Sequence, residues 1–247
     1  MLLAADIGNT NISLALFKGS KISKIRDIPL KEYTQSKLFK YIGKESLDTA
    51  LICSVVPSMA KRLANDLKKI SGISPRLIGK DISVPLKNLY QNPKQLGQDR
   101  LVNAYAASKI YSAPVIVVSC GTALTIDAVS KNREFLGGFI LPGLRSSLSS
   151  LNADTALLPK LKLKPASGLI GRNTQTGILN GVIAGSAGSI DSLIEKILLK
   201  ISKHAKVIGT GGDIYLIKRF SRYIIKVNKE LTLKGIFLVY KNTLENA

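Results

Sequence analysis

LLAADIGNTNISLALF, Leu2 to Phe17, sets a polar turn, Asp6-Ile7-Gly8-Asn9-Thr10-Asn11, between two apolar stretches. Each stretch is short and bounded by turn residues, the pattern of two adjacent β-strands joined tightly. The design recurs about a hundred residues on, where VIVVSCGTALTIDAV, Val115 to Val129, has Gly121-Thr122 in the place of Gly8-Asn9. Two small-residue hairpins, one near the start of each half, suit two strand-rich lobes that grip a nucleotide phosphate chain. The chain is therefore a candidate phosphotransferase.

Outward from the first hairpin, a third strand is expected near Ile22 to Ile28 and a polar helical stretch around Glu32 to Ile42. TALICSVVP, Thr49 to Pro57, reads as a buried strand, because its apolar run is too short for a helix, whereas Ser58 to Ile70 has helical spacing. The second half begins near Ala113-Pro114 and repeats the hairpin. It then adds a Gly-rich strand, EFLGGFILPGL from Glu134 to Leu144, and a helical stretch. A long helix is expected around Gly181 to Lys200, with Gly181, Ala184, Gly185 and Gly188 allowing close approach of another backbone. KVIGTGGDIYLI, Lys206 to Ile217, reads as strand, glycine turn and helix. The expectation is α/β architecture in two domains, 1–113 and 114–247.

A chain of 247 residues with 45% hydrophobic content can bury a full core, and no Gly, Ser or Pro run is long enough for a flexible linker. The start MLLAADIGN lacks a basic region and its apolar run is cut at Asp6, and nowhere do eighteen apolar residues follow one another. A cytoplasmic protein with no membrane association is expected. Cys53 and Cys120 sit in apolar, strand-like runs that suit buried reduced thiols, and with only His204 beside them a zinc site is not indicated. Thirty-six Lys plus Arg against sixteen Asp plus Glu give a net charge of +20, which attracts polyanions. The lysines are scattered and no nucleic-acid module is recognisable, so a solvated basic surface that also draws in phosphorylated ligands is preferred to nucleic-acid binding.

Glycine turns can bring backbone N–H groups close to phosphate oxygens because no Cβ stands in the way. Asp6 would add a carboxylate, which repels a polyphosphate unless a cation lies between, so its position suggests magnesium held through water. Asn9, Thr10, Asn11 and Thr122 would add neutral hydrogen bonds. The alternative is that DIGNTN serves turn chemistry alone. No G-x-x-x-x-G-K-[ST] or G-x-G-x-x-G string follows a strand, so neither a P-loop nor a dinucleotide fold is supported. Gly209-Thr210-Gly211-Gly212 suits packing against an adenine ring or an ordinary strand-to-helix connection. In YQNPKQLGQDRLVNAYAASKIY, Tyr90 to Tyr111, a helix opens at Asp99-Arg100. Asp99 there is either a helix cap or the acceptor of a substrate hydroxyl proton, with Arg100 pairing an anionic group of the same substrate.

DIGNTNISLALF, SVVP, GQDRLVNA, CGTALTID, FLGGFILPGL, TALLP, GRNTQTGI, TGG and LTLKGI, in this order and spacing, resemble type III pantothenate kinase, a branch of the actin-like ATPase (ribonuclease H-like) superfamily. The resemblance runs from Leu2 to about Tyr240. It implies two actin-like lobes with mixed sheets and flanking helices, and ATP-dependent phosphorylation of pantothenate to 4'-phosphopantothenate, the first step of coenzyme A biosynthesis. It also implies an ATP phosphate loop at Asp6, Ile7, Gly8, Asn9, Thr10, Asn11, Ile12 and Ser13, with Thr122 on the same nucleotide. Gly97, Gln98, Asp99 and Arg100 would bind pantothenate, Asp99 as proton acceptor and Arg100 near the carboxylate. Tyr90 matches a substrate-binding tyrosine, and Thr174 a threonine that reaches pantothenate across a homodimer interface. The second hairpin departs from the family pattern D-x-G-T-A by carrying Ser119 where an Asp binds a monovalent cation, potassium or ammonium. Either that site is weakened, or its charge is supplied elsewhere, or the protein does not need it. The competing expectation is a non-catalytic relative that regulates gene expression, towards which the +20 charge and Ser119 lean.

Overall fold

The computed structural model describes residues 1–245. In chain order the elements are β1 (Leu2–Ile7), β2 (Asn11–Lys18), β3 (Lys21–Pro29), α1 (Gln35–Ile42), β4 (Thr49–Ser54), α2 (Pro57–Ser71), β5 (Arg76–Leu77), β6 (Lys87–Asn88), α3 (Gln98–Ile110), β7 (Val115–Cys120) and β8 (Ala123–Val129). There follow β9 (Glu134–Pro142), α4 (Leu144–Ala153), α5 (Thr174–Ile201), β10 (Lys206–Thr210), α6 (Ile214–Lys218), β11 (Lys226–Val227) and α7 (Leu231–Glu245).

Both expected hairpins form. β1 pairs antiparallel with β2 from Leu2↔Phe17 to Ile7↔Ile12, and β7 with β8 from Val115↔Val129 to Cys120↔Leu124. The repeat extends to whole sheets. The first has the order β3-β2-β1-β4-β5, and the second contains the same arrangement as β9-β8-β7-β10-β11, with β6 added beyond β9. In each, two antiparallel pairings are followed by parallel ones, β1 with β4 and β7 with β10.

Two compact units result, Met1–Leu86 with Gln91–Ala106 and the chain from Glu230 onward, and Lys87–Tyr90 with Ala107–Lys229. This differs from the sequential stretches 1–113 and 114–247. β6 leaves the first stretch because its backbone pairs with β9, Lys87↔Glu134 and Asn88↔Phe135. α7 returns to the first unit because it lies against β1, β2 and β4, where Phe237 stacks on Phe17 with centroids 4.7 Å apart. Gly235 lets α7 close on α3, since a Cβ there would stand 2.6 Å from Val102 Cγ1, and Thr232 Oγ1 donates to Asn103 Oδ1 at 2.8 Å. The other face of the first sheet buries Leu3, Ala5, Ile7, Leu14 and Ile52 against Leu38 and Tyr41 of α1 and Leu63 and Leu67 of α2. Each of these leucines and isoleucines removed from water contributes about 1.5–3 kcal/mol.

In the second unit Ile116, Val118, Leu124 and Ile126 pack against Ile183, Ala187, Ile190 and Ile194 of α5. This helix starts at Thr174, two turns before the expected Gly181. The Asn173 side chain accepts from Thr176 N at 2.9 Å and Thr176 Oγ1 accepts from Asn173 N at 3.2 Å, a reciprocal cap that holds the first turn. On its outward side, among the described residues and apart from the helix's own backbone, no heavy atom lies within 4 Å of where a Cβ would stand at Gly177, Gly181, Gly185 or Gly188. Both cysteines are buried free thiols. Among the described residues no helix is long and apolar enough to cross a membrane.

Candidate functional site

The first hairpin's turn is closed by Gly8 N donating to Asn11 O at 3.0 Å and tied to the end of β3 by Leu30 N donating to Thr10 O at 2.7 Å. Asn9, Thr10 and Asn11 face solvent, while Ile7 and Ile12 anchor the strand ends in the core. Asp6, partly buried, stands in register with Ser13 on one side and Cys53 on the other. Ser13 Oγ donates to Asp27 Oδ1 at 2.5 Å. Burial, then the charge of Asp99, then that of Asp27, raise the Asp6 pKa from 3.8 to about 7. Cys53 is pushed well above its ordinary range by burial and by the charges of Asp6 and Asp99.

α3 begins one residue before Asp99. Gly97 O accepts from Arg100 N at 3.2 Å, so Gly97 takes the cap position and Asp99 lies inside the first turn. A Cβ at Gly97 would stand 2.5 Å from Asp99 Oδ1, so glycine lets the carboxylate fold back over the helix start. Burial raises the Asp99 pKa, opposed by the backbone N–H and the guanidinium of Arg100. Arg100 is buried, 7% exposed. Gln98 lies over Gly79, where a Cβ would stand 2.6 Å from its Cδ, and the φ of +87° there also favours glycine. Val55 of SVVP also belongs here, its N donating to Ile7 O at 3.1 Å and its Cγ1 lying 3.7 Å from the place of a Cβ at Gly97. The first unit thus holds Asp6 at the end of the strand leading into the hairpin turn, within the electrostatic field of Asp99, and Arg100 beside Asp99 in α3.

The second unit holds Tyr90, Ser119, Thr122 and Thr174. The Tyr90 ring lies on Gly137, 3.5 Å from the place of a Cβ, with the Phe135 ring centroid 6.3 Å away. Tyr90 and Gly97–Arg100, one continuous loop in the sequence, therefore divide between the units. Ser119 sits in register between Thr125 and Thr210, so hydroxyl side chains occupy all three adjacent strands at this level. Thr125 Oγ1 is buried with no hydrogen-bond partner among the described residues. Thr122 is exposed at the turn, where Gly121 N donates to Ala123 O at 3.0 Å. Thr174 is exposed in the first turn of α5.

Two further loops crowd onto this hairpin. A Cβ at Gly143 would overlap the carbonyl oxygens of Gly121 and Thr122, and one at Gly211 that of Cys120. Ser146 Oγ donates to Thr122 O at 3.2 Å and Asp213 N to Cys120 O at 3.2 Å. Arg145 and Asp213, which sequence reading missed, form an ion pair here at 3.0 Å. Cys120 is pushed up to about 12 by burial and the Asp213 charge, opposed by Arg145. The signal that could have found them is their place, one residue after PG-L and TGG.

Two sheets of the same strand order, each opening on a hairpin with a glycine turn, define the class as an actin-like ATPase fold. An activator of 2-hydroxyisocaproyl-CoA dehydratase from Clostridium difficile, solved with ADPNP, matches over 99% of this chain and 97% of that one with TM-score 0.53 at 12% identity. A conserved Campylobacter jejuni protein assigned to a Baf family of transcriptional activators matches over 98% and 99% with TM-score 0.61 at 21% identity, a likeness of fold. The family model for type III pantothenate kinase matches residues 2–196. A type III pantothenate kinase from Finegoldia magna is 37% identical over 252 residues, covering 97% of this chain and 96% of that relative. The chain belongs to the type III pantothenate kinase family. It is an enzyme of the ATP-using class that phosphorylates pantothenate in coenzyme A biosynthesis, and the regulatory alternative is not favoured.

Proposed function

We infer that the chain phosphorylates the primary hydroxyl of pantothenate with Asp99 as proton acceptor, Arg100 as partner of the substrate carboxylate, and Asp6 to Ser13 with Thr122 on the triphosphate. The observation that carries this reading is the company of Asp99. It shares a unit and an electrostatic field with Asp6 at the end of the phosphate-type turn. Burial keeps its carboxyl more basic than an exposed Asp, which suits acceptance of a hydroxyl proton as the bond to phosphorus forms. Positioning and charge neutralisation carry most of the rate in such transfers. Tyr90 and Thr174 complete the pantothenate contacts.

The residues fit magnesium through the nucleotide rather than by a protein cage. Asp6 lies among like charges that a divalent cation relieves, yet no group of three His, Cys, Asp or Glu among the described residues could hold a metal. Asp6 would reach the ion through water, and the ion would offset charge on the phosphate oxygens. Ser119 and its neutral neighbours ligate potassium or ammonium less well than a carboxylate, so weak dependence on a monovalent cation is part of the reading.

The protein works as a homodimer. The open glycine stripe of α5 admits a second backbone, and the chain just before this helix exposes Leu157, Leu169 and Ile170 at 92%, 72% and 83%. Thr174 at the start of α5 would then serve the partner's site. A cytoplasmic location accompanies the coenzyme A reaction. The test is ADP release and 4'-phosphopantothenate formation on adding pantothenate to protein and ATP, with and without potassium. DNA retention that falls with salt, without ATP consumption, would favour the regulator instead.

A further inference from the structure

The three segments that converge at the second hairpin, Cys120 to Ala123, Pro142 to Ser147 at the start of α4, and Gly209 to Asp213, carry one basic side chain between them, Arg145. Glycines at 143 and 211 let their backbones pack without Cβ atoms, so Arg145 has little freedom at its base. Its guanidinium is tied at one Nη2 to Asp213 Oδ1 at 3.0 Å, while 65% of the side chain stays open to solvent against 15% for Asp213. An exposed ion pair adds little to stability by itself. One largely free guanidinium, held by a mostly covered carboxylate beside an exposed Thr122, is instead the arrangement of a preset anion contact.

Charge logic at this hairpin points the same way. Asp6 gives the first turn a carboxylate, whereas the second has Ser119 flanked by Thr125 and Thr210. No side chain of the second turn recruits a cation with a formal charge, so a polyanion here needs positive charge from a neighbouring element. Arg145, whose side chain stays far more open to solvent than that of its partner Asp213, is the charge placed to meet it.

We propose that Arg145, positioned by Asp213, is the cationic contact for the nucleotide's phosphate groups in the second unit. The assignment rests on the kinase reading and adds a specificity-determining residue to it. An arginine discriminates by phosphate count, because each added phosphate brings charge and acceptor oxygens for a guanidinium fork to meet.

The test is calorimetric binding of ATP, ADP and AMP to the full chain and to Arg145→Gln, Arg145→Lys and Asp213→Asn, with steady-state KM values and Tm measured alongside. Arg145→Gln is expected to weaken ATP by about tenfold to a hundredfold, the scale of a lost charge-assisted hydrogen bond. ADP should lose less and AMP least, with the KM for pantothenate unchanged. Arg145→Lys should recover most of the ATP affinity. Asp213→Asn should weaken ATP by about threefold, and add nothing in an Arg145→Gln background. Equal losses for ATP and AMP, or a lowered Tm with ATP affinity intact, would make the pair a strut and overturn the proposal. Wild-type protein that binds ATP but forms no phosphopantothenate would instead overturn the kinase reading, leaving the nucleotide series to decide on Arg145.

Discussion

The Asp6 and Asp99 carboxylates, the first at the end of β1 and the second in the opening turn of α3, lie within each other's electrostatic reach in one compact unit. Hairpin and helix are distant in sequence. Within the same unit α3 is clasped by α7, through Gly235 against Val102 and Thr232 on Asn103.

Asp99→Asn keeps the shape of the helix start but cannot accept the hydroxyl proton. Turnover should fall by a factor on the order of 100 or more while ATP affinity is kept. Single-turnover measurements with pantothenate, beside ATP binding, check it. Near-normal turnover would return Asp99 to the role of a residue that ties off backbone N–H groups at a helix end.

Asp6 makes stability depend on pH. Folding raises its pKa from 3.8 to about 7, so the native state binds more protons than the unfolded chain across that window. The contribution is full below the lower value and is lost as pH rises through the upper one. In metal-free, nucleotide-free protein, Asp6→Asn should therefore be more stable than wild type above pH 7, by about 1–3 kcal/mol or roughly 3–10 °C in Tm. The difference should close near pH 4. A Tm difference independent of pH would show that the carboxylate is not the cause.

Ser119 predicts weak dependence on potassium. Activity in sodium or Tris buffers should stay within about twofold of that in potassium, and Ser119→Asp should introduce a potassium requirement. Initial rates across a potassium titration decide it. A steep rise in wild-type activity with potassium would refute the assignment.

Gly185→Arg tests the dimer face. Since a Cβ at this position meets nothing within 4 Å among the described residues, the substitution should leave the helical circular dichroism unchanged while sedimentation shifts from dimer to monomer. Turnover should fall at the same time, because Thr174 would no longer reach a partner. A variant that sediments as wild type would move the interface elsewhere.

Much of the fold was legible because its signal is local. Alternation and a tight polar turn are contained within the sixteen residues from Leu2 to Phe17, and the copy at Val115 to Val129 announces the repeated sheet. GQDR could be marked as a helix start, but whether Asp99 capped it depended on Gly97, whose missing Cβ lets the carboxylate fold back. The first two turns of α5 were missed because its face of glycines and threonines lacks an apolar period. The reciprocal cap at Asn173 and Thr176 begins the helix instead.

The sequence by itself determined the two hairpins, the glycines that keep their turns open, the overall charge and the exchange at Ser119, since each is a property of adjacent residues. Tertiary structure decided which distant groups share a site. It set Asp99 in the field of Asp6, gave Tyr90 to the second sheet through β6, returned α7 to the first unit, and joined Arg145 to Asp213. Those pairings arise from strand register and from backbones closing where a Cβ is absent. Such long-range contacts leave no periodic trace in the chain.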